Sequence, residues 1–128
     1  MTQEDKELLL KDLAARLPYN TKVFFSIIEE DEPIELSLSV IRCLESIPLG
    51  QNDIVIKPYL RSMSSMTEDE RKEYNEYLFH GASIGLMSNT ETAYELIEWL
   101  NAHHFDYRGL IERGLAIEVT EENNPYKD

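Results

Sequence analysis

The chain has one cysteine, few basic residues and no long apolar run, and each of these shortages excludes a class of protein. Cys43 is the only cysteine among the 128 residues, so no internal disulfide can form, which is typical of a reducing compartment. No apolar segment approaches the ~20 residues that a membrane-spanning helix needs. The N-terminal residues, MTQEDKELLLKDL, are acidic and unlike a signal peptide. We therefore predict a cytoplasmic protein that does not contact a membrane.

The shortage of positive charge is the strongest compositional signal. There are 12 Lys and Arg residues against 25 Asp and Glu, which gives a net charge of −13. Phosphate backbones and anionic membrane surfaces both repel such a chain, so direct binding of nucleic acid is not expected. Hydrophobic residues make up 42% of the chain, which is enough for one core. We predict a single α+β domain over residues 1–120 and a flexible acidic C-terminal tail over residues 121–128.

Local patterns in the first half of the chain predict one helix followed by three strands. The helix begins after Thr2, which can cap it, and ends near Leu17, before Pro18. Its predicted apolar face consists of Leu10, Leu13, Ala14 and Leu17. The strands are predicted over residues 22–28, 34–40 and 53–57, with a charged turn at 29–33 and a bulge at 40–41, where the alternation slips.

The second half predicts two helices and a last strand. Thr67 and Glu70 form a capping box for a helix that ends at Gly81, and residues 88–91 form a second box. The predicted apolar face of the second helix consists of Ala93, Leu96, Ile97, Leu100 and His104. Residues 115–119 alternate as a strand does. The predicted fold is α+β, with a three-stranded antiparallel meander, a fourth strand, and helices on one face of the sheet.

No pattern of catalytic, metal-binding or cofactor-binding residues is visible. His103 and His104 are adjacent on a helix and point about 100° apart, so they cannot easily hold one ion. Cys43 falls on the apolar phase of a predicted strand, which indicates a buried, unreactive thiol. The chain has no serine flanked by glycines and no phosphate-binding loop. We predict no enzyme activity, no metal and no cofactor.

Two segments are rich in the residue types that anchor protein interfaces. Tyr, Trp and Arg are the most frequent hot-spot residues, and they recur in residues 59–65 and 99–108. The candidate binding surface consists of Tyr59, Leu60, Arg61, Met63, Ser64, Ser65, Phe105, Asp106, Tyr107 and Arg108. The same residues could equally build an ordinary core, with Asp106 and Arg108 holding a turn. Interface arginines should be exposed and unpaired, which makes Arg61 and Arg108 the test of this hypothesis.

Both predicted helices in the second half carry a stripe of like charges. Acidic residues at i, i+4 and i+7 repel one another, which destabilises a helix by a few tenths of a kcal/mol. This repulsion is present in both helices. The candidate acidic face consists of Asp69, Glu73, Glu76, Glu91, Glu95 and Glu98. Such stripes are either a solvated surface or a negative surface that binds a basic partner.

Three segments resemble one protein family. They are KPYLRSMSSMTE at residues 57–68, WLNAHHFDYRGLIERGLAIE at 99–118 and KDLAARLPYNTKV near the N-terminus. The family is a set of small uncharacterised proteins, frequent in phages and mobile elements of gut anaerobes and without an assigned activity. The resemblance therefore implies lineage rather than a function. The family usually has proline where this chain has Ser62, so the loop before Thr67 is expected to be less rigid here.

We expect a non-enzymatic protein-binding or adaptor module of a mobile element. One alternative is an acidic inhibitor that mimics nucleic acid and binds a basic host protein. Another is a small hydrolase or nuclease that uses His80, His103 or His104 with carboxylates. Trp99 and Tyr94 lie off the predicted apolar face of their helix. Either the sheet and the C-terminal segment cover them, or a second chain does, which makes a homodimer a further alternative.

Overall fold

A computed structural model describes residues 1–27, 32–50, 54–84 and 89–126, with side chains described outside 79–92. This part of the chain contains four α-helices and a four-stranded mixed sheet, which confirms the α+β class. The helices are α1 Gln3–Arg16, α2 Leu38–Ser46, α3 Glu68–Ile84 and α4 Asn89–Ala102. The strands are β1 Lys22–Phe25, β2 Ile34–Glu35, β3 Ile56–Leu60 and β4 Ile117–Glu118. Short 3-10 helices span Leu17–Tyr19 and Met63–Ser65.

The strand order is β2-β1-β3-β4, with β1 antiparallel to both of its neighbours and β4 parallel to β3. In the predicted meander the second strand would lie between the first and the third. The structure instead places β1 in that position, so this detail of the prediction is wrong. The chain returns to the sheet at β3 through α2, which allows β1 to pair on both sides.

The prediction of a second strand over residues 34–40 is mostly wrong. Its first two residues form β2, but Ser37 caps α2, accepting the N–H of Val40 on its hydroxyl. Val40, Ile41 and Leu44 are buried at helical spacing. The slip in alternation at residues 40–41 therefore marks a helix rather than a bulge. Cys43 lies on this helix, half-buried against the core, and not on a strand.

The third strand extends through Pro58, which the sequence analysis took as its end. The N–H of Ser26 donates to the carbonyl of Val55, and bonded pairs alternate with unbonded ones along an antiparallel ladder. Pro58 faces Val23 in an unbonded pair, so its missing N–H removes no bond to β1. Proline is therefore tolerated inside β3.

Helix α1 begins as predicted, because the hydroxyl of Thr2 accepts the N–H of Asp5. Its buried face is different from the prediction. The structure buries Leu9, Asp12, Leu13 and Arg16, whereas Ala14 is exposed and Leu10 and Leu17 are only half-buried. The buried face is rotated because Asp12 and Arg16 form an ion pair inside the molecule.

The two helices of the second half form a packed pair, here called the α3–α4 hairpin. The capping box is confirmed, since the Thr67 N–H donates to Glu70 and the Glu70 N–H donates to Thr67. Helix α3 continues past Gly81, which was predicted to end it, as far as Ile84. The second predicted box, residues 88–91, lies outside the residues whose side chains are described.

The buried face of α4 is only partly the predicted one. Leu100 is buried and Leu96 half-buried as expected, but Ala93 and Ile97 are exposed. Trp99 lies inside instead. His104, the last residue of the predicted face, falls beyond the end of α4 with a positive φ of 63°.

The buried side chains form two clusters. The larger one joins α1 and α2 to the sheet through residues such as Leu13, Leu44, Val23 and Leu60. The smaller one is built around Trp99, Leu100 and Phe105, at the base of the α3–α4 hairpin. Within the described residues, no helix is both long enough and apolar enough to cross a membrane.

Candidate functional site

The two segments predicted to bind a partner lie side by side. The N–H of Arg61 donates to the carbonyl of His104 at 2.7 Å, and the N–H of Asp106 donates to the carbonyl of Arg61 at 2.8 Å. Arg61 and Phe105 form a parallel bridge, which continues the pairing of β3 beyond Leu60. Residues 59–65 and 99–108 therefore share one region of the structure, where the end of β3 meets the end of α4 and the turn after it.

Arg61 is engaged inside the protein. Its guanidinium forms a bidentate ion pair with Glu70, at 2.6 and 2.8 Å, and lies 4.3 Å from the centre of the Phe105 ring. Its side chain is 22% exposed. Bidentate pairs of this kind are the stronger ones, because two parallel hydrogen bonds fix the geometry. Arg61 ties β3 to the first turn of α3.

Arg108 is engaged in the same way. It donates to Asp12 of α1 at 2.9 Å, lies over the Tyr107 ring at 4.8 Å and is 19% exposed. The interface hypothesis required both Arg61 and Arg108 to be exposed and unpaired. Neither arginine is therefore the free anchor that the sequence analysis expected, and both hold the fold together.

Most other members of the candidate binding surface are also structural. Tyr59, Leu60 and Phe105 are buried. Asp106 is buried and accepts the N–H groups of Leu110 and Ile111, so it holds the turn. This matches the alternative interpretation, in which these residues build a core.

The 3-10 helix after β3 retains accessible side chains. Ser64 and Ser65 are exposed and Met63 is half-buried. An open groove of about 290 Å³ lies here. Its lining residues are Met63, Ser64, Met66, Arg71 and Tyr74. Among the predicted binding residues, the two serines are the exposed ones, and Met63, Tyr107, Arg61 and Arg108 are half-buried.

Trp99 is covered from within the chain. Its ring contacts His103 at 4.4 Å and Phe105 at 5.7 Å between ring centres, and α3 contributes Tyr74 and Tyr77 at 6.3 and 6.1 Å. The indole N–H donates to the carboxylate of Glu73 at 2.8 Å. Of the two covers considered for Trp99, the fold itself therefore supplies one, whereas Tyr94 remains 65% exposed.

The acidic face is exposed as predicted over the described residues. Its exposed members are Asp69, Glu73 and Glu76 on α3 and Glu95 and Glu98 on α4. The side chain of Glu91 lies outside the described part. No ion pair to any of the five occurs among the residues that the structure describes, although Glu73 accepts the indole bond. The hairpin therefore presents unneutralised negative charge.

The side chains of the two described histidines, His103 and His104, contact other residues of the protein. His103 forms a hydrogen bond between its Nδ1 and the carbonyl of Trp99. His104 stacks on Tyr126 at 3.8 Å, and burial, followed by the charge of Arg16, lowers the pKa of His104 to about 4. The side chain of His80 lies outside the described part. Within that part, no group of three or more His, Cys, Asp or Glu side chains could hold a metal ion.

Tyr126 lies within the segment predicted to be a flexible tail, yet it contacts the centre of the sheet. Its hydroxyl accepts the N–H of Lys22 at 2.9 Å and donates to the carbonyl of Tyr59 at 2.7 Å. Lys22 and Tyr59 come directly after the pair Val23 and Pro58 in the β1–β3 register. The hydroxyl therefore bridges the two strands, and burial raises the pKa of Tyr126 above its usual range. The polar composition of the tail did not lead us to expect this contact.

The sequence analysis also missed a buried polar network in which Asp12 pairs with two arginines. Arg16 donates to Asp12 at 2.8 Å and to the carbonyl of Phe105 at 2.6 Å, and both Asp12 and Arg16 are fully buried. The i, i+4 spacing of an acid and a base was the available signal, but such pairs are usually exposed. The network joins α1 to the turn at residues 105–108.

The Arg61–Glu70 pair makes stability depend on pH. Hydrogen bonds from Arg61 and then from the Thr67 amide lower the pKa of Glu70 from 4.5 to about 2, although burial opposes them. A lowered acid pKa stabilises the fold above pH ~4.5, and this stabilisation is lost as pH falls toward 2. We expect Glu70→Gln to lower the free energy of unfolding at pH 7 by about 1–2 kcal/mol, since the pair is partly open to solvent.

Urea unfolding at pH 7 and at pH 2.5 measures this effect. The difference between wild type and Glu70→Gln should shrink at the lower pH. His104 is present in both proteins, so its contribution to the pH dependence is the same in both. It therefore drops out of the difference between their free energies of unfolding. Glu76→Gln is the matched control, because Glu76 is exposed and forms no ion pair with any residue whose side chain is described. Equal losses for the two variants would contradict the role given to the pair.

Comparisons of the chain with models of known protein families, with curated proteins and with solved structures found no match. The family resemblance of the two motifs stays a prediction. Function is therefore inferred from the geometry and charge of the molecule itself.

Proposed function

We propose that this protein is a non-enzymatic protein-binding module that holds a basic partner on its acidic α3–α4 hairpin. The observation that carries the proposal is the set of five exposed carboxylates without an ion pair among the described residues. Residues 68–102 contain eight acidic residues against two basic ones. Eight minus two gives −6, close to half of the total charge of −13, on about a quarter of the chain.

Charge placed in this way favours association with a basic surface. Like charges one helical turn apart destabilise a helix slightly, so the unbound hairpin carries an electrostatic cost. A partner with lysines or arginines would relieve this cost and would also be steered toward the hairpin during encounter. Both effects weaken as salt rises, because exposed charges are screened within about 10 Å at 0.1 M.

The proposal moves the binding surface away from the two motif segments. Arg61 and Arg108 hold β3, α1 and α3 together. Rigid support of this kind suits a binding module, since a surface on ordered helices loses less entropy on association than a mobile one does. The motif segments would then act as the scaffold of the hairpin.

Two variants with equal charge test the proposal. The hairpin variant combines Asp69→Asn, Glu76→Gln, Glu95→Gln and Glu98→Gln. The control variant combines Glu35→Gln, Glu45→Gln, Glu112→Gln and Glu121→Gln, which are also exposed. Each removes four negative charges, so the two proteins differ only in where charge is lost.

The probe is a labelled synthetic amphipathic helix with lysine and arginine on one side and leucine on the other. Fluorescence anisotropy gives its Kd for each protein at 50 and 300 mM salt. We expect the hairpin variant to bind at least about tenfold more weakly than wild type, and the control within about twofold, since local charge decides a specific contact. Equal loss in both variants, or binding that is insensitive to salt, would refute a hairpin site.

A further inference from the structure

The outward side of α4 carries exposed apolar side chains next to a carboxylate. Tyr94 is 65% exposed and Ile97 is 41% exposed, although the same helix buries Trp99 and Leu100 on its other side. Glu98 is exposed one turn after Tyr94. Residues three and four apart are neighbours on a helix, so Tyr94, Ile97 and Glu98 share one patch.

This patch continues from α4 onto the turn that follows it. Asn101 lies one turn after Ile97 and accepts the Tyr107 hydroxyl at 2.8 Å, which fixes the Tyr107 ring beside the helix. The guanidinium of Arg108 covers that ring at 4.8 Å, and Arg108 is itself paired with Asp12. Tyr107 is therefore held rigidly and remains half-buried at the edge of the patch.

Tyr19 lies in the 3-10 helix that follows α1, and α1 contacts α4. Loss of hydration raises the pKa of Tyr19, and Glu98, Tyr94 and Tyr107 add to the rise in that order. These three groups are thus close enough to act electrostatically on the Tyr19 hydroxyl. We call the set Tyr19, Tyr94, Ile97, Glu98 and Tyr107 the tyrosine strip.

We infer that the tyrosine strip is the centre of the partner site, where a lysine or arginine of an amphipathic helix lies on the exposed ring of Tyr94 beside Glu98. This inference rests on the proposed function and names the chemistry of the partner. Tyrosine is enriched in binding hot spots because its ring offers a large, stiff contact area with a polar end. A cation is attracted both to the face of an aromatic ring and to a carboxylate.

The charge of the strip decides between a basic partner and a second copy of this chain. Glu98 is the only formally charged member, and Glu95 precedes it on the helix. A second copy would bring another acidic α4, and another net charge of −13, against this surface. A basic amphipathic helix instead offers a cation for Glu98 and an apolar side chain for Ile97.

Single substitutions on the strip, compared with matched ones on α3, test the inference with the same labelled peptide. Tyr94→Ala is paired with Leu78→Ala, an apolar residue that is also exposed on the hairpin. Glu98→Gln is paired with Glu76→Gln, which removes the same charge elsewhere on the hairpin. All four side chains are exposed, so circular dichroism should show an unchanged fold.

We expect Tyr94→Ala to raise the Kd at least about tenfold and Leu78→Ala to change it by less than about twofold, as for a hot spot and its surroundings. Tyr94→Phe should keep most of the affinity, because it keeps the ring. Glu98→Gln should raise the Kd more than Glu76→Gln does. Together these results would assign the centre of the site to the strip.

Failure of this inference is distinguishable from failure of the proposed function. If the four-site hairpin variant loses binding but Tyr94→Ala does not, the hairpin binds its partner elsewhere and the strip is overturned. If neither loses binding, both proposals fail. Sedimentation equilibrium without peptide is the remaining test. A dimer that Tyr94→Ala dissociates would assign the strip to a second copy and overturn a basic partner.

Discussion

Replacing Asp12 by asparagine is expected to lower the free energy of unfolding by about 3–5 kcal/mol, the range for breaking a buried ion pair. Asp12 is fully buried and accepts hydrogen bonds from both Arg16 and Arg108. Asparagine has nearly the same shape but no charge, so a fully buried guanidinium would lose its counter-ion. One nitrogen of Arg16, Nη1, already lacks a hydrogen-bond partner among the described residues, which makes further loss hard to compensate.

Two controls identify the cause of the loss. Asp5→Asn makes the same change on the same helix, at the more exposed pair with Arg113, and should cost about 1 kcal/mol or less. Arg16→Met removes the buried cation itself and leaves Asp12 paired with Arg108. It should cost less than Asp12→Asn, because no buried charge is left unpaired. Urea unfolding of the three variants measures these differences, and a similar loss for Asp5→Asn would contradict the buried-charge explanation.

Replacing Tyr126 by phenylalanine is expected to lower the free energy of unfolding by about 1–3 kcal/mol. The hydroxyl bridges the N–H of Lys22 and the carbonyl of Tyr59, which lie on neighbouring strands. Phenylalanine keeps the ring that stacks on His104 but offers neither a donor nor an acceptor. The N–H of Lys22 would then lose its partner at a partly buried position.

Urea unfolding and amide hydrogen exchange test this prediction together. Exchange at Lys22 should become faster in Tyr126→Phe, while exchange at Phe24, farther along β1, changes less. Tyr94→Phe is the matched control, since Tyr94 is 65% exposed and should lose almost no stability. Unchanged stability of Tyr126→Phe, with the Lys22 amide still protected from exchange, would contradict this role. The N–H of Lys22 would then find another acceptor without the hydroxyl.

Features with local signals were predictable from the sequence. Thr2 caps α1, and Thr67 and Glu70 form a box, because the donors and acceptors of a cap lie within three residues of each other. The acidic stripes were also read correctly over the described residues, since spacing along a helix decides which side chains share a face. The α+β class followed from the mixture of the two periodicities.

Features that depend on distant partners were not predictable. Residues 34–40 alternate as a strand does, but the hydroxyl of Ser37 offers a helix cap, and burial of Leu44 then favours α2. The burial of Asp12 and Arg16 was missed, because Phe105 and Arg108 meet them only in the folded chain. No spacing in one sequence reports such a contact.

The candidate site was identified by composition, which left two interpretations open. Tyr, Trp and Arg are frequent both in interfaces and in mixed cores, so composition alone cannot separate the two roles. Exposure separates them. Arg61 and Arg108 prove to be internal, whereas Tyr94, which the sequence analysis treated only as a sign of dimerisation, is the most exposed large apolar side chain described.

The contact between Arg16 and the Phe105 carbonyl has a kinetic consequence. The two residues are 89 positions apart, and Tyr126 reaches back 104 positions to Lys22. Closing such long loops costs chain entropy before any contact repays it, so structures rich in them pass over a higher barrier. The Asp12–Arg16 pair can form early within α1 and keep its water. We expect the pair to lose its water only when the turn at residues 105–108 docks, late on the folding route.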